Sequence, residues 1–371
     1  MKNQKKIFCI EKLYFCPDKP LIIAELGTSH NADIVKAKEM ISAAAESGAN
    51  CVKFQMVFAD EILHPNTGEV NLPGGKIRLY DRFKELETPV EFYMEIKEYV
   101  ETLGLLFLCT PFGHKSASIL RQIQPKIVKI ASPELNFTSL LEEIAEWKLP
   151  VLLSSGVSRL SDIEKALDIF SDRRQICLLH CVTAYPAPET DYNLRALHNL
   201  SAIFDISVGV SDHSADPELV PALAVSMGAA VIEKHFCLSR TDSGLDDPIA
   251  LPPEDFTKMV CAVKQAAENT FEKTISDYKN RYGEAFVEQI LGNGVKELAP
   301  SEKENYRLTN RSVHALRDIA AGEVIQKSDY AVLRTEKNLR PGLEPCWEKA
   351  VEGRTARNFI PAGEGIRFED I

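Results

Sequence analysis

Eight short apolar runs between residues 21 and 236 end in side chains that an apolar core has no use for. LIIAEL (21–26) carries Glu25, with His30 just beyond, and CVKFQM (51–56) carries Lys53 and Gln55. LLFLCT (105–110) ends at Thr110, and IVKIAS (127–132) holds Lys129 and Ser132, with Glu134 following. VLLSSG (151–156) gives Ser154 and Ser155, and ICLLHC (176–181) gives His180 ahead of Thr183 and Tyr185. SVGVSD (207–212) supplies Ser211 and Asp212, then His213, and VIEKHF (231–236) supplies Glu233 and His235. A polar group buried without a partner costs ~2–7 kcal/mol on transfer scales, so any one of these alone reads as a satisfied core group. Their recurrence at all eight run ends points instead to a shared site.

The residue types define the chemistry. His213 and His235 end consecutive runs, and two imidazoles suit a divalent metal that keeps positions open for water or substrate. Lys53 and Lys129 are expensive to bury alone. They either pair with Glu25 or Glu134, or serve as two cations for a phosphate or carboxylate, with Ser132, Ser154 and Ser211 as neutral donors around that anion. A phosphorylated small molecule is the ligand this predicts. Lys129 fits equally the Schiff-base lysine of an aldolase, and the residues leave both readings open. His64, His114, His198 and His314 fall in loops or on helices and read as solvated surface groups.

The elements that position these groups follow from the alternation of apolar runs with helix-patterned stretches. Residues 33–47 place Ile34, Ala37, Met40, Ile41 and Ala44 on one stripe, with Asp33 as the N-cap and Gly48 past the end. Similar patterns cover 89–103, 138–147, 161–170 and 217–227. Eight strand–helix units in roughly 250 residues predict a (β/α)8 TIM barrel, whose catalytic groups sit at the C-terminal strand ends. An open doubly wound sheet lacks its main support, since no GxGxxG follows the first run. The connection 57–88, with Pro65, Gly68, Pro73, Gly74 and Gly75, is too long for an ordinary loop and is expected to shape the site. In the tail, Ile319-Ala-Ala-Gly-Glu-Val-Ile-Gln-Lys-Ser-Asp329 recurs as Ile360-Pro-Ala-Gly-Glu-Gly-Ile-Arg-Phe-Glu-Asp370, a pseudo-repeat that predicts a small β-rich module leaning on a partner surface. The expected division is a barrel over 1–271, a connector with a helix and a loop over 272–310, and the small module over 311–371.

Composition narrows the function classes. With 45% hydrophobic and 26% charged residues the chain is neither collagen-like nor disordered. Lys+Arg 43 against Asp+Glu 54 gives −11, which argues against nucleic-acid and anionic-membrane partners while leaving room for a local basic pocket. Nine cysteines without a CxxC or finger pattern fit a reduced setting. Glu11 and Lys12 interrupt the N-terminal apolar stretch and no run reaches the ~18 apolar residues of a spanning helix, so a cytoplasmic location is expected.

In their order, Ala24-Glu25-Leu26-Gly27 with His30, Val52-Lys53-Phe54-Gln55, Thr110-Pro111-Phe112, Val128-Lys129-Ile130-Ala131-Ser132, Ser154-Ser155-Gly156, Ser211-Asp212-His213 and Glu233-Lys234-His235-Phe236 resemble the sialic acid synthase family. These phosphoenolpyruvate-dependent enzymes make nine-carbon nonulosonic acids, and the tail looks like their small antifreeze-like (SAF) domain. The resemblance implies a domain-swapped homodimer, with the tail of one subunit over the barrel mouth of the other. It implies Mn2+ or Mg2+ on His213 and His235, and phosphoenolpyruvate on Lys53, Thr110, Lys129, Ser132, Ser154 and Ser211. The acylamino sugar would meet Glu25, Gln55, Glu134, Tyr185 and Asp246, with the partner's Arg340 reaching in and Arg311 as a second contact. Glu25 is the expected residue for orienting or deprotonating water, with Glu134 the second choice. Ser29, Ala184, Gly75-Lys76 and Gly244-Leu-Asp-Asp247 depart from the more usual family residues and bear on the sugar. The Gly74-Gly75…Arg78-Leu79-Tyr80 loop looks closer to synthases of pseudaminic-type acids. A non-enzymatic carbohydrate- or ice-binding protein is the rival from another class; the polar strand ends and the few threonines of the tail count against it.

Overall fold

A computed structural model describes residues 6–72 and 75–371, so Pro73 and Gly74 of the long second connection lie outside the described residues. All eight predicted runs form strands of one parallel sheet: β3 (Leu21–Gly27), β4 (Cys51–Met56), β7 (Leu106–Pro111), β8 (Val128–Ile130), β9 (Val151–Ser154), β10 (Ile176–Cys181), β11 (Ser207–Asp212) and β12 (Val231–His235). Their order is β7-β4-β3-β12-β11-β10-β9-β8, and the terminal strands β7 and β8 lie against each other to complete a barrel. Continuous burial along these strands follows from having side chains on one face and helices on the other.

The helices fall where the apolar stripes predict. Helix α1 (Ile34–Glu46) buries Ala37, Met40, Ile41 and Ala44, and the Asp33 carboxylate accepts from the Val35 and Lys36 amides at 2.8 and 3.3 Å. The stretches at 89–103, 138–147, 161–170 and 217–227 are the helices Val90–Thr102, Thr138–Ala145, Leu160–Leu167 and Leu219–Ser226. Among the described residues, no helix is long and apolar enough to cross a membrane.

An N-terminal hairpin, β1 (Phe8–Ile10) with β2 (Leu13–Phe15), closes the opposite end of the barrel. Phe8, Ile10 and Phe15 pack on the buried Leu21, Ile23, Cys51, Leu108 and Val231, so one end is an apolar plug. Access is left to the C-terminal strand ends. The long second connection folds into a short helix (Ala59–Ile62), a hairpin of β5 (Glu69–Leu72) and β6 (Gly75–Arg78), and a helix (Leu79–Glu85). It builds its own apolar cluster from Ile62, Leu63, Val70, Leu79 and Phe83 with Phe112.

The connector contains two helices, Phe271–Tyr282 and Glu284–Leu291, rather than one, and the first begins just ahead of residue 272. Beyond them the fully buried Glu302 carboxylate accepts from the amides of Val157 (2.8 Å), Thr183 (2.7 Å) and Ala299 (3.2 Å), tying the connector to two loops of the barrel mouth. The tail pairs β13 (Arg311–Ala315) with β14 (Tyr330–Arg334). Its pseudo-repeat is a structural one: Ile319 and Ile360, both fully buried, bridge each other, while Asp329 and Asp370 each accept from an amide three residues back, at 2.7 and 2.9 Å.

Two of the histidines expected at the surface are buried for local reasons. His314 sits in the tail core between the Gly363 carbonyl (2.7 Å) and Ser312 Oγ (2.8 Å), and His64 lies between the Asn66 amide (3.0 Å) and the Leu316 carbonyl (3.3 Å). His114 and His198 are exposed.

The module does lean on a surface, and within this chain that surface is its own barrel. Arg311 is 1% exposed and donates to Glu134 Oε1 (3.0 Å) and to the carbonyls of Glu61 (2.5 Å) and Phe112 (2.6 Å). Arg334 donates twice to the same carboxylate oxygen, at 3.0 and 2.5 Å. Within one chain, these contacts seat the tail on the barrel mouth. Removing one member of a buried charge cluster strands the others and typically costs ~3–5 kcal/mol. Glu134→Gln should lower unfolding stability by about that amount and make the tail more sensitive to limited proteolysis; an unchanged denaturant midpoint and digestion pattern would show that the clamp does not hold the tail.

Candidate functional site

Strand register brings the polar run ends together. Glu25 on β3 stands opposite Lys53 on β4 and opposite His235 on β12, and Ser211 on β11 stands opposite Glu233. At the end of β3 the register with β4 shifts between Glu25 and Gly27, and Gly27 adopts φ +54. A Cβ at that glycine would sit 3.4 Å from Gln55 Nε2 and 3.6 Å from both Asp246 Oδ2 and Glu25 Oε1, so the backbone there supports three converging polar groups.

The floor is a buried charge network. Lys53 Nζ lies 2.9 Å from Glu25 Oε2 and 3.5 Å from Glu233 Oε1. Lys129 Nζ lies 3.7 Å from the same Glu233 oxygen and donates to Ser154 Oγ at 2.6 Å. Ser211 Oγ donates to Glu233 at 2.8 Å, and Gln55 Nε2 donates to Glu25 at 2.7 Å. Burial favours a neutral Lys53, but Glu233 and Glu25 outweigh it and hold its ammonium well above the usual lysine range. Burial dominates at Lys129 and lowers it. Burial also opposes a charged Glu233, yet Lys129 and Lys53 bring it down to about 2.

Beside this floor stand the two imidazoles, with ring centroids 5.4 Å apart and Tyr185 stacked at 4.4 Å from His213. His213 Nδ1 is held by the Val182 carbonyl at 2.8 Å, with Cys181 Sγ at 3.7 Å, which leaves Nε2 as the free ring nitrogen. Burial disfavours the charged ring, but Cys181 and the Val182 carbonyl lift His213 to about 9. Burial pushes His235 down to about 3, so that ring is neutral. Behind both, Lys234 Nζ donates to Asp212 Oδ2 and to the Ser214 carbonyl at 2.6 Å each, locking the ends of β11 and β12.

These groups open into one cavity of about 540 Å³. Glu25, Lys53, Gln55, Lys129, Ser132, Ser154, Tyr185, Ser211, His213, His235 and Asp246 all line it, as sequence reasoning expected. Four expected contacts do not line it. Thr110 is buried opposite Gln55, with its hydroxyl unpaired among the described residues. Glu134 and Arg311 are consumed by the tail clamp. Arg340 is directed back into the tail, donating to the Gly365 carbonyl and to Asp370 Oδ2 at 2.8 Å each. His30 and His180 are likewise core groups, one packed on Phe54 and Phe92, the other bonded to the Tyr192 carbonyl.

Other lining residues had no place among the expected site residues. Cys181 ends strand β10, so its position was available as a signal, whereas Glu233 was singled out as a polar group of the eighth run without a role of its own. Glu69 and Asn71 come from the hairpin of the second connection, which was expected to shape the site, and Arg334, Glu336, Lys337 and Asn338 come from the end of β14 and the turn after it, segments whose individual residues were not singled out.

Residues 40–274 match the NeuB family and residues 310–371 match the SAF domain. An N,N'-diacetyllegionaminic acid synthase of Legionella pneumophila is 34% identical over 361 residues, covering 94% of each chain. A pseudaminic acid synthase of Campylobacter jejuni is 31% identical over 361 residues, covering 95% of this chain and 97% of its own. Among solved structures, the spore coat polysaccharide biosynthesis protein SpsE of Bacillus subtilis superimposes with a TM-score of 0.80 at 32% identity, covering 98% of this chain and 99% of that one.

The Asp212–Lys234 lock gives the fold an acid limit. Burial would raise Asp212, but Lys234 and the Ser214 amide hold it below the ordinary carboxylate value. A depressed carboxylate stabilises the fold above its unfolded pKa of ~3.9 and loses that contribution as pH falls through the folded value. Asp212→Asn should cost ~3–5 kcal/mol at neutral pH and flatten the loss of stability below about pH 4. Equal acid sensitivity in the variant and the parent would remove Asp212 from the account.

Proposed function

The chain belongs to the NeuB family, and on that premise we propose that it condenses phosphoenolpyruvate with an open-chain 2-acylamino hexose, acting as a transferase that yields a nonulosonic acid and phosphate. The observation that carries this reading is the pair of buried lysines, Lys53 and Lys129, on the floor of a cavity whose wall holds His213 and His235. Two ammonium groups with three serine hydroxyls form a cradle for the phosphate and carboxylate of phosphoenolpyruvate, fixing its carbon 3 towards the sugar aldehyde. Carbon 3 forms the new bond to the aldehyde carbon, and the cationic carbon 2 left behind takes up water. Phosphate then departs with the bridging oxygen by C–O cleavage. Glu25, fixed by Lys53 and Gln55, is the group for orienting or deprotonating that water. With Glu134 held by two guanidiniums, the second choice for this role is left without access to the cavity.

The donor set fits a divalent cation such as Mn2+ or Mg2+. His213 and His235, with ring centroids 5.4 Å apart, would be its protein ligands, with the remaining positions open to water or substrate, and among the described residues no group of three or more His, Cys, Asp or Glu side chains is arranged to hold a metal. When bound, such an ion supplies Lewis-acid polarisation of the aldehyde oxygen. His213 Nδ1, occupied by the Val182 carbonyl, leaves Nε2 as the nitrogen that would coordinate.

One observation favours a second reading. Burial lowers Lys129, the condition under which a lysine amine becomes a Schiff-base nucleophile. Borohydride trapping of substrate on Lys129, together with full activity in chelator, would establish that aldolase chemistry in place of the condensation.

Phosphate release from phosphoenolpyruvate, measured with a panel of 2-acylamino hexoses that includes N-acetylmannosamine, its 6-phosphate and diacetamido trideoxy hexoses, should show sugar-dependent turnover. No release with any sugar in the presence of Mn2+ would overturn the reading. His235→Ala should abolish Mn2+ binding measured calorimetrically and reduce turnover by at least about a hundredfold, the scale of losing a metal ligand or more; retained metal affinity would remove the ligand assignment.

A further inference from the structure

The end of β14 and the turn after it bring Arg334, Glu336, Lys337 and Asn338 to the cavity. Their roles separate on geometry. Arg334 is committed to Glu134. Asn338 Nδ2 donates to the carbonyls of Thr67 (2.8 Å) and Glu69 (2.7 Å), fastening the turn to the long second connection. Lys337 is exposed. Glu336 differs from all three: its side chain is only 18% exposed, its nearest cation is Arg334 Nη1 at 3.9 Å, and it accepts no hydrogen bond among the described residues.

The backbone that carries it is held in an unfavourable shape. Glu336 and Lys337 have φ 45 and φ 65, a left-handed region that side chains with a Cβ enter at a cost. Buried Thr335 maintains it, donating to the Leu308 carbonyl while accepting from the Lys337 amide at 3.0 Å, and Asn338 pins the far side. A strained turn fastened at both ends thus holds an acceptor without a donor. Val70, Leu79, Phe83 and Phe112 add an apolar stretch to the lining of the same cavity. Burial raises the Glu336 carboxyl and Arg334 opposes that rise, so a hydrogen bond donated by a ligand would help hold it ionised as an acceptor.

We propose that Glu336 is a specificity-determining residue that accepts a hydrogen bond from an N–H or O–H of the acceptor sugar at the end remote from its aldehyde. This rests on the synthase reading of the cavity. The reacting end of the sugar is fixed at the strand ends by Gln55, Asp246 and the imidazoles, which leaves the tail turn to read what projects from the mouth. A buried acceptor discriminates strongly, because a sugar lacking the matching donor strands it away from water.

The test is steady-state phosphate release by the full chain and its Glu336→Ala and Glu336→Gln variants. The acceptors are 2-acylamino hexoses bearing an acylamino group, a hydroxyl or only hydrogen at the carbons beyond carbon 3. Glu336→Ala should raise the sugar KM about tenfold or more where a donor is present, the scale of a hydrogen bond to a charged group. The phosphoenolpyruvate KM should stay within about twofold, which also reports an intact fold, and Glu336→Gln should retain part of the effect through its carbonyl. The sugar that loses most identifies the donor as N–H or O–H, and the sugar without a donor should not distinguish variant from parent. An unchanged sugar KM across the panel, or an equal loss for the sugar without a donor, overturns the inference while the synthase reading stands. A parent protein that releases no phosphate with any sugar overturns both.

Discussion

Lys53 and Lys129 are taken out of water on the floor of the barrel mouth, and the carboxylates of Glu25 and Glu233 are what allow it. An isolated buried ammonium would lose its proton or its place. The network instead sets two cations against two anions, and Ser154 and Ser211 fill the remaining hydrogen-bonding positions. Such an arrangement is conditional on strand register: a shift of one residue would turn Lys53 or Glu233 to the helix-covered face. The closed parallel sheet and its apolar plug at the other end therefore serve the network as much as the core. An incoming trianion competes with Glu25 and Glu233 for the same ammonium groups, so the site is formed before the ligand arrives and needs little reorganisation to hold it.

The tail enters the same economy of buried charge. Glu134 projects beyond β8, where one carboxylate oxygen collects the guanidiniums of Arg311 and Arg334 from the two strands of the small module. This fixes the module against the barrel and, one turn later, carries Glu336 to the mouth. A carboxylate that a sequence reading assigns to substrate is used here to hold the domain that covers the substrate, and the neighbouring tail carboxylate is the one left open to the cavity.

Eight apolar runs were legible because strands buried on both faces have no choice of composition, and the site at their C-terminal ends followed from the barrel. Lys53, Lys129, His213 and His235 could be named from the sequence since each interrupts an apolar run at a place where only a partner or a ligand explains it. Glu134 satisfied the same rule on paper and Arg340 was named through the resemblance, but whether a charged side chain faces a cavity or another charged side chain is decided by contacts across long sequence separations. Glu134 meets Arg311 at a separation of 177 residues, and no local pattern announces that. Burial of His64 and His314 was missed for the same reason: His64 becomes interior once the tail has docked, and His314 once the tail's own strands and turns have come together. Resemblance to the sialic acid synthases carried the reaction, while the residues over the mouth, where Glu336 is proposed to read the sugar, are those with the weakest signal in the sequence.

The most direct test of the account follows the bridging oxygen of phosphoenolpyruvate. A substrate carrying heavy oxygen at that position is turned over with an acceptor sugar, and the released phosphate is analysed by mass. A charge network that holds the phosphate while water adds at carbon 2 predicts that the label leaves with phosphate. Label retained in the sugar acid would mean P–O cleavage, and would contradict the role assigned to Lys53, Lys129 and Glu25.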